Sequence, residues 1–183
     1  PLAQKIWLQN FPIFVTRDLD EAKNYVTERF KDEPSKRFGI LASSKDQVLP
    51  RYGIKNGFQD TKLVKNANWY NKNLGEKGSC CNLEEVVTEF GCQGLELDMA
   101  IVAWGNDFFW NGSEWEIRKM RTRIPQEDPH QLRLNSYRVL LTRSREGMII
   151  FVPPIPELDN TLNALLASGA RILEQSIALA EIS

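Results

Sequence analysis

The chain has 183 residues, 42% hydrophobic and 26% charged, with a net charge of −1; these ordinary globular values exclude wholesale disorder and a histone-like, purely electrostatic binder. No apolar run reaches the length of a membrane-spanning helix and no basic-then-apolar leader is present, so no membrane partner is expected. Three cysteines, two of them adjacent at Cys80 and Cys81, give neither a paired framework nor a C-x-x-C metal spacing, so inert thiols, no metal site and a reducing, cytoplasmic setting are expected.

The chain opens at Pro1 rather than at a methionine, as expected of a piece excised from a longer protein. Residues 11–17 are aromatic and β-branched and predict a strand. Asp18 then offers an N-cap with Glu21 three residues on, as in a capping box, and Ala22, Tyr25, Val26, Arg29 and Phe30 recur at helical spacing, predicting a helix over 19–31. A short apolar strand comes next at 38–42, ending in Ser43-Ser44-Lys45. Residues 50–80 are rich in Gly, Asn, Lys and isolated aromatics and predict an irregular insertion, with Phe58, Trp69 and Tyr70 as a satellite core.

Strands are predicted at 86–88 and 99–104. Asn111-Gly112 between Phe108-Phe109-Trp110 and Trp115-Glu116-Ile117 predicts a hairpin. Residues 131–146 read as a helix stopped by Gly147, 148–152 as the last strand, and 158–179 as one or two helices broken at Gly169. The strand runs are continuously apolar, the pattern of a parallel sheet covered on both faces by helices. One α/β domain with a hairpin insertion is expected over 1–183, its core at about 10–155 and a helical segment over 156–183. His130, the only histidine, reads as a solvated loop residue and leaves little room for two-histidine metal sites.

Two segments carry chemistry. In Thr88-Glu89-Phe90-Gly91-Cys92-Gln93-Gly94-Leu95-Glu96-Leu97-Asp98, a strand leads into glycines and then an acidic pair. Ligands of doubly wound sheets sit beyond the carboxyl ends of strands, where glycine lets backbone approach phosphate and Glu96 can accept from a ribose hydroxyl. In Tyr137 to Arg145, Arg138, Arg143 and Arg145 stand beside buried Val139, Leu140 and Leu141, and a forked guanidinium suits charge on a transferring phosphoryl group. Arginines covering a helix edge, or pairing with Glu96 or Asp98, are the structural alternative. A third, basic cluster at Arg118, Lys119, Arg121 and Arg123 adjoins the aromatic hairpin and suits a single nucleic-acid strand, or simply a solvated loop over a packed hairpin. No G-x-x-x-x-G-K-[ST] loop occurs in the chain.

In this order, the Gln93-Gly94-Leu95-Glu96 segment and Tyr137–Arg143 before Met148-Ile149-Ile150-Phe151-Val152 resemble motifs V and VI of superfamily 1 helicases. Over about 10–155 the chain resembles the C-terminal part of a helicase-like family of P-loop ATPases related to Schlafen-type helicase domains. Phe14 to Ala22, Ile40 to Ser44 and Trp104 to Trp115 share in the resemblance. The resemblance implies a RecA-like second motor domain of a DNA or RNA helicase. Its partner is an N-terminal RecA-like domain of the same protein, which supplies the phosphate loop and most contacts to ATP and Mg2+. Carried over, Arg143 is the arginine finger, Gln93, Gly94 and Glu96 face the nucleotide, and Thr88 touches the nucleic-acid backbone, with Ser43 and Ser44 at the motif IV position. Glu89 departs from the histidine often found there, and Ser144 from the usual alanine. A non-motor ATPase regulating a nuclease or sensor, and a catalytically degenerate nucleic-acid-binding module, are the alternative readings.

Overall fold

The computed structural model describes residues 11–118 and 128–173. Six strands form one all-parallel sheet: β1 (Ile13–Thr16), β2 (Phe38–Ala42), β3 (Val86–Thr88), β4 (Leu97–Ala103), β7 (Ser144–Phe151) and β8 (Arg171–Ile172). Their spatial order is β3-β2-β4-β7-β1-β8. A separate antiparallel hairpin joins β5 (Phe108–Trp110) to β6 (Trp115–Ile117). The helices are α1 (Leu19–Arg29), α2 (Phe58–Thr61), α3 (Asn66–Asn71), α4 (Pro129–Leu141) and α5 (Asp159–Ala167). The helix-flanked parallel sheet is the one the continuous apolar runs predict, and the arrangement is the RecA-like α/β one that the resemblance implies.

Period-two side-chain alternation divides the core between the two faces of the sheet. Phe14, Ile149 and Phe151 pack with Ala22 and Val26 of α1. Val15, Met148, Ile150 and Val152 pack with Trp104, Phe108, Tyr137 of α4 and Leu158. The central β4 is buried along its whole length. At roughly 25 cal/mol per Å² of apolar surface removed from water, this doubly covered centre is where stability concentrates.

Several boundaries differ from those expected. The Asp18 carboxylate accepts from the amides of Asp20 and Glu21, but Glu21 takes the Thr16 hydroxyl instead of closing the capping box, and the helix ends at Arg29. The insertion over 50–80 contains α2, α3 and two 3-10 turns, at Leu49–Tyr52 and Cys80–Asn82. Trp69 of α3 is fully buried and its indole donates to the Glu85 carbonyl, whereas Phe58 is 75% exposed and belongs to no core. Cys80 and Cys81 are both buried. The hairpin loop has four residues, its Asn111 carboxamide oxygen accepting from the amides of Ser113 and Glu114, rather than a two-residue turn.

The helix expected over 131–146 starts earlier and ends at Leu141, and Gly147 is not its stop but lies inside β7. At φ +147 its place is unfavourable for any side chain, and a Cβ there would meet Met99 Cε, Pro12 Cγ and the Pro12 carbonyl, each at 2.8 Å. Gly147→Ala is therefore expected to lower stability by roughly 2–3 kcal/mol, read as a fall in the urea midpoint at unchanged slope. Past α5 the chain turns at Gly169 as expected. The segment after it is not helical throughout: Arg171–Ile172 pair with β1 as the edge strand β8. The expected helix beyond 173 lies outside the described residues.

Candidate functional site

The parallel sheet gives the predicted residues two separate homes. Every strand runs the same way, so segments leaving the strands gather at one edge and segments entering them gather at the other. Ser43 and Ser44 come directly after β2, and Thr88 ends β3, so these three stand at the carboxyl edge. Glu96 immediately precedes β4 and Arg143 immediately precedes β7, and Leu97 pairs with Ser144, so these stand together at the amino edge. The expectation that the whole Thr88–Asp98 segment lies beyond the carboxyl ends is thus corrected. Residues 89–96 run from one edge back to the other. Turns close this path where the amides of Gly91 and Cys92 donate to the Thr88 carbonyl and that of Leu95 to Cys92.

At the amino edge the two motifs touch. The Leu97 amide donates to the Arg143 carbonyl at 2.8 Å. Cys92 is buried, which pushes its thiol up to about 11, with the neighbouring Arg143 charge pulling it partway back. Gln93, Gly94 and Glu96 are exposed, Gly94 at φ +78 in a left-handed turn that favours glycine. The Tyr70 hydroxyl donates to the Glu96 carbonyl at 2.9 Å, which leaves its carboxylate outside that contact.

The three arginines have different environments. Arg145 pairs with Asp98 at 3.2 Å, and Lys36 reaches the same carboxylate at 3.8 Å. Among the described residues, the Arg138 side chain reaches the Asn135 side-chain oxygen, at 3.5 Å. Arg143 donates from Nε to the Val139 carbonyl and from one terminal nitrogen to the Thr142 hydroxyl, each at 3.1 Å. It makes no ion pair with a carboxylate among the described residues. The structural alternative of pairing with an acidic partner therefore holds for Arg145 and not for Arg143.

The carboxyl edge rests on a buried polar network that the sequence did not reveal. Ser43 is fully buried and donates to Asp107 at 2.6 Å. Arg133 of α4 bridges from Nε to Asp107 at 3.0 Å, to the Ser43 hydroxyl at 3.0 Å and toward Glu89 at 3.9 Å. The Tyr137 hydroxyl donates to the second Asp107 oxygen at 2.7 Å and accepts from the Gly105 amide at 3.0 Å. Burial, opposed mainly by the Arg133 charge, raises the Asp107 pKa above the ordinary value, and burial together with Asp107 raises that of Tyr137. Arg133 and Tyr137 are four residues apart on one helix face. That spacing, and an aspartate shortly after a buried strand, were the available signals.

Glu89, an unwelcome charge beside a phosphate, is turned inward. It is 4% exposed and accepts from both the amide and the hydroxyl of Ser44, each at 2.9 Å. Ser43 and Ser44 thus have their hydroxyls engaged within the protein, while Thr88 and Ser44 line an open groove of about 470 Å³ beside β3.

Of the hairpin aromatics Phe108 is buried and Phe109, Trp110 and Trp115 are half-buried; Phe108 lies 5.0 Å from Trp115, and neighbouring Trp104 4.5 Å from Tyr137, centroid to centroid. His130 is not a loop residue; it sits in the first turn of α4 with Nε2 at 2.8 Å from the Trp115 carbonyl. Arg118 is exposed, its amide held by the Asp107 carbonyl at 3.2 Å. Lys119, Arg121 and Arg123 lie outside the described residues. Among those described, no group of three or more His, Cys, Asp or Glu side chains could hold a metal ion, and no helix is long and apolar enough to cross a membrane.

In comparisons with known proteins, the family model described as the Schlafen group 3 DNA/RNA helicase domain matches residues 2–154. No curated protein and no solved structure matches.

Proposed function

The chain belongs to the Schlafen group 3 DNA/RNA helicase domain family, and from that premise we propose that it is the second, RecA-like motor domain of an ATP-driven enzyme acting on DNA or RNA. Its amino edge closes over ATP held by a preceding RecA-like domain, and its carboxyl edge faces the nucleic acid. The observation that carries this reading is Arg143: its guanidinium has no carboxylate partner among the described residues, and its backbone carbonyl accepts from the Leu97 amide at the start of β4, directly after Gln93–Glu96.

The amino-edge residues fit one side of a nucleotide. The exposed Glu96 carboxylate accepts from ribose hydroxyls, the Gly94 turn lets backbone approach phosphate, and Arg143 offers a fork of donors. Following the resemblance, Mg2+ belongs to the preceding domain, where it would neutralise the β- and γ-phosphate oxygens. As water attacks the γ-phosphorus and the bond to the bridging oxygen breaks, releasing ADP, negative charge is spread over the equatorial oxygens of the transferring group, and Arg143 stabilises it across the interface. Thr88 meets the nucleic-acid backbone from the groove side, while Ser43 and Ser44 support that edge through Asp107 and Glu89.

The sequence holds no phosphate loop, so the 183-residue chain by itself is expected to release no phosphate from Mg·ATP above background. The full-length protein is expected to do so, faster when nucleic acid is added. Sustained turnover by the purified chain would contradict the division of labour proposed here.

A further inference from the structure

We propose that Tyr70, on helix α3 of the insertion, is a positioning residue that fixes where Glu96 meets the ribose, so that the insertion tunes nucleotide affinity. This rests on the reading of Glu96 as the ribose contact and adds which part of the chain holds it in place. One face of α3 spans the segment that runs from the carboxyl edge of the sheet to the amino edge. Asn66 and Tyr70, one helical turn apart, meet its two ends. A Cβ at Gly91 would lie 3.4 Å from Asn66 Oδ1, so the glycine lets the backbone pass close to α3 there. At the other end the Tyr70 hydroxyl donates to the Glu96 carbonyl at 2.9 Å.

The support behind Tyr70 is firm. The ring of fully buried Trp69 packs on β2 so closely that a Cβ at Gly39 would stand 2.7 Å from Trp69 Cζ2. The Trp69 indole donates to the Glu85 carbonyl at 3.2 Å, just before β3. At the far end of α3, Arg37 donates to the Asn71 carbonyl at 3.5 Å and to Asn73 Oδ1 at 3.1 Å, while its own amide donates to Asp98 at 2.7 Å. The turn that Tyr70 holds is otherwise loose: Gln93, Gly94 and Glu96 are exposed. Among the described residues, no other side chain hydrogen-bonds residues 93–96 from outside that segment. Without this tether the ribose must order the turn as it binds, which lowers affinity. Arg143 is held by its own contacts to Val139 and Thr142, so the charge it offers the transferring group does not depend on Tyr70.

The test is hydrolysis by the full-length protein of ATP and of 2′,3′-dideoxy-ATP, which lacks both ribose hydroxyls. Tyr70→Phe removes only the phenol oxygen. It is expected to raise KM for ATP roughly three- to tenfold, with kcat and the urea midpoint nearly unchanged. KM for the dideoxy nucleotide should stay at the parent value, so the preference for ATP falls by the same factor. Glu96→Ala should erase that preference, and adding Tyr70→Phe to it should change nothing further. Full preference for ATP in Tyr70→Phe, where Glu96→Ala lacks it, would overturn the positioning role and leave the ribose contact standing. An effect of Tyr70→Phe that persists beside Glu96→Ala, or that appears in kcat and the urea midpoint instead of KM, would make Tyr70 a structural residue and overturn the proposal. Preference for ATP retained by Glu96→Ala, or a parent protein that neither binds nor hydrolyses ATP, would overturn the proposal together with the reading beneath it.

Discussion

Replacing Arg143 by alanine in the full-length protein is expected to cut ATP turnover by roughly a thousandfold or more, with nucleotide affinity changed far less. The reason is differential: a guanidinium that meets charge only as the γ-phosphoryl group departs contributes to the rate and little to ground-state binding. Arg143→Lys should recover little of the loss, because an ammonium lacks the rigid fork of donors. Steady-state hydrolysis alongside equilibrium binding of a non-hydrolysable analogue separates the two effects. Stability should barely move, since Arg143 forms no carboxylate ion pair among the described residues and its contacts are to Val139 and Thr142 of its own segment. Arg145→Ala is the control: it removes a partner of Asp98, and its effect should appear in stability before turnover.

Arg133→Met is expected to destabilise the fold by roughly 3–5 kcal/mol, as a fall in the denaturant midpoint of the chain. Methionine keeps most of the stem's packing but leaves Asp107 buried beside Ser43 and Tyr137 with no opposing charge within ion-pair distance among the described residues. The loss arises from stranding a buried carboxylate rather than from the worth of the pair, so adding Asp107→Asn to Arg133→Met should restore part of it. The pH dependence supplies a sign. Asp107 is raised in the folded chain, so the fold holds this proton more tightly than the unfolded chain does. Its ionisation therefore weighs against folding above the folded-state value, and the penalty lifts as pH falls through that value toward the unfolded one. Losing the opposing Arg133 charge should steepen this trend.

The sheet was legible where strands are buried on both faces, since the stretches 38–42 and 99–104 read as unbroken apolar runs; the start of β4 at Leu97 was not, because Asp98 interrupts the apolar pattern. β8 was not, because two exposed residues, Arg171 and Ile172, carry no pattern and owe their conformation to the edge of β1. The end of α4 was misplaced because Ser144, Arg145 and Glu146 begin β7 with polar side chains, and Gly147 mimics a helix stop. The motif residues themselves could be read from the chain. Their distribution over opposite edges could not, because it depends on the pairing of Leu97 with Ser144 and of Ala42 with Thr88. Nothing local in the sequence joins Asp107 to Arg133; only the packing of α4 against the segment after β4 brings them within 3.0 Å.

Whether Arg143 meets transition-state charge can be measured with a mimic of the transferring group. In the full-length protein, ADP with aluminium fluoride should bind far more tightly than ADP alone, and Arg143→Ala should erase most of that difference while leaving ADP affinity near the parent value. If the variant retains the full preference for the aluminium fluoride complex, Arg143 does not face the transferring group, and the amino edge is not the closing half of an ATP site.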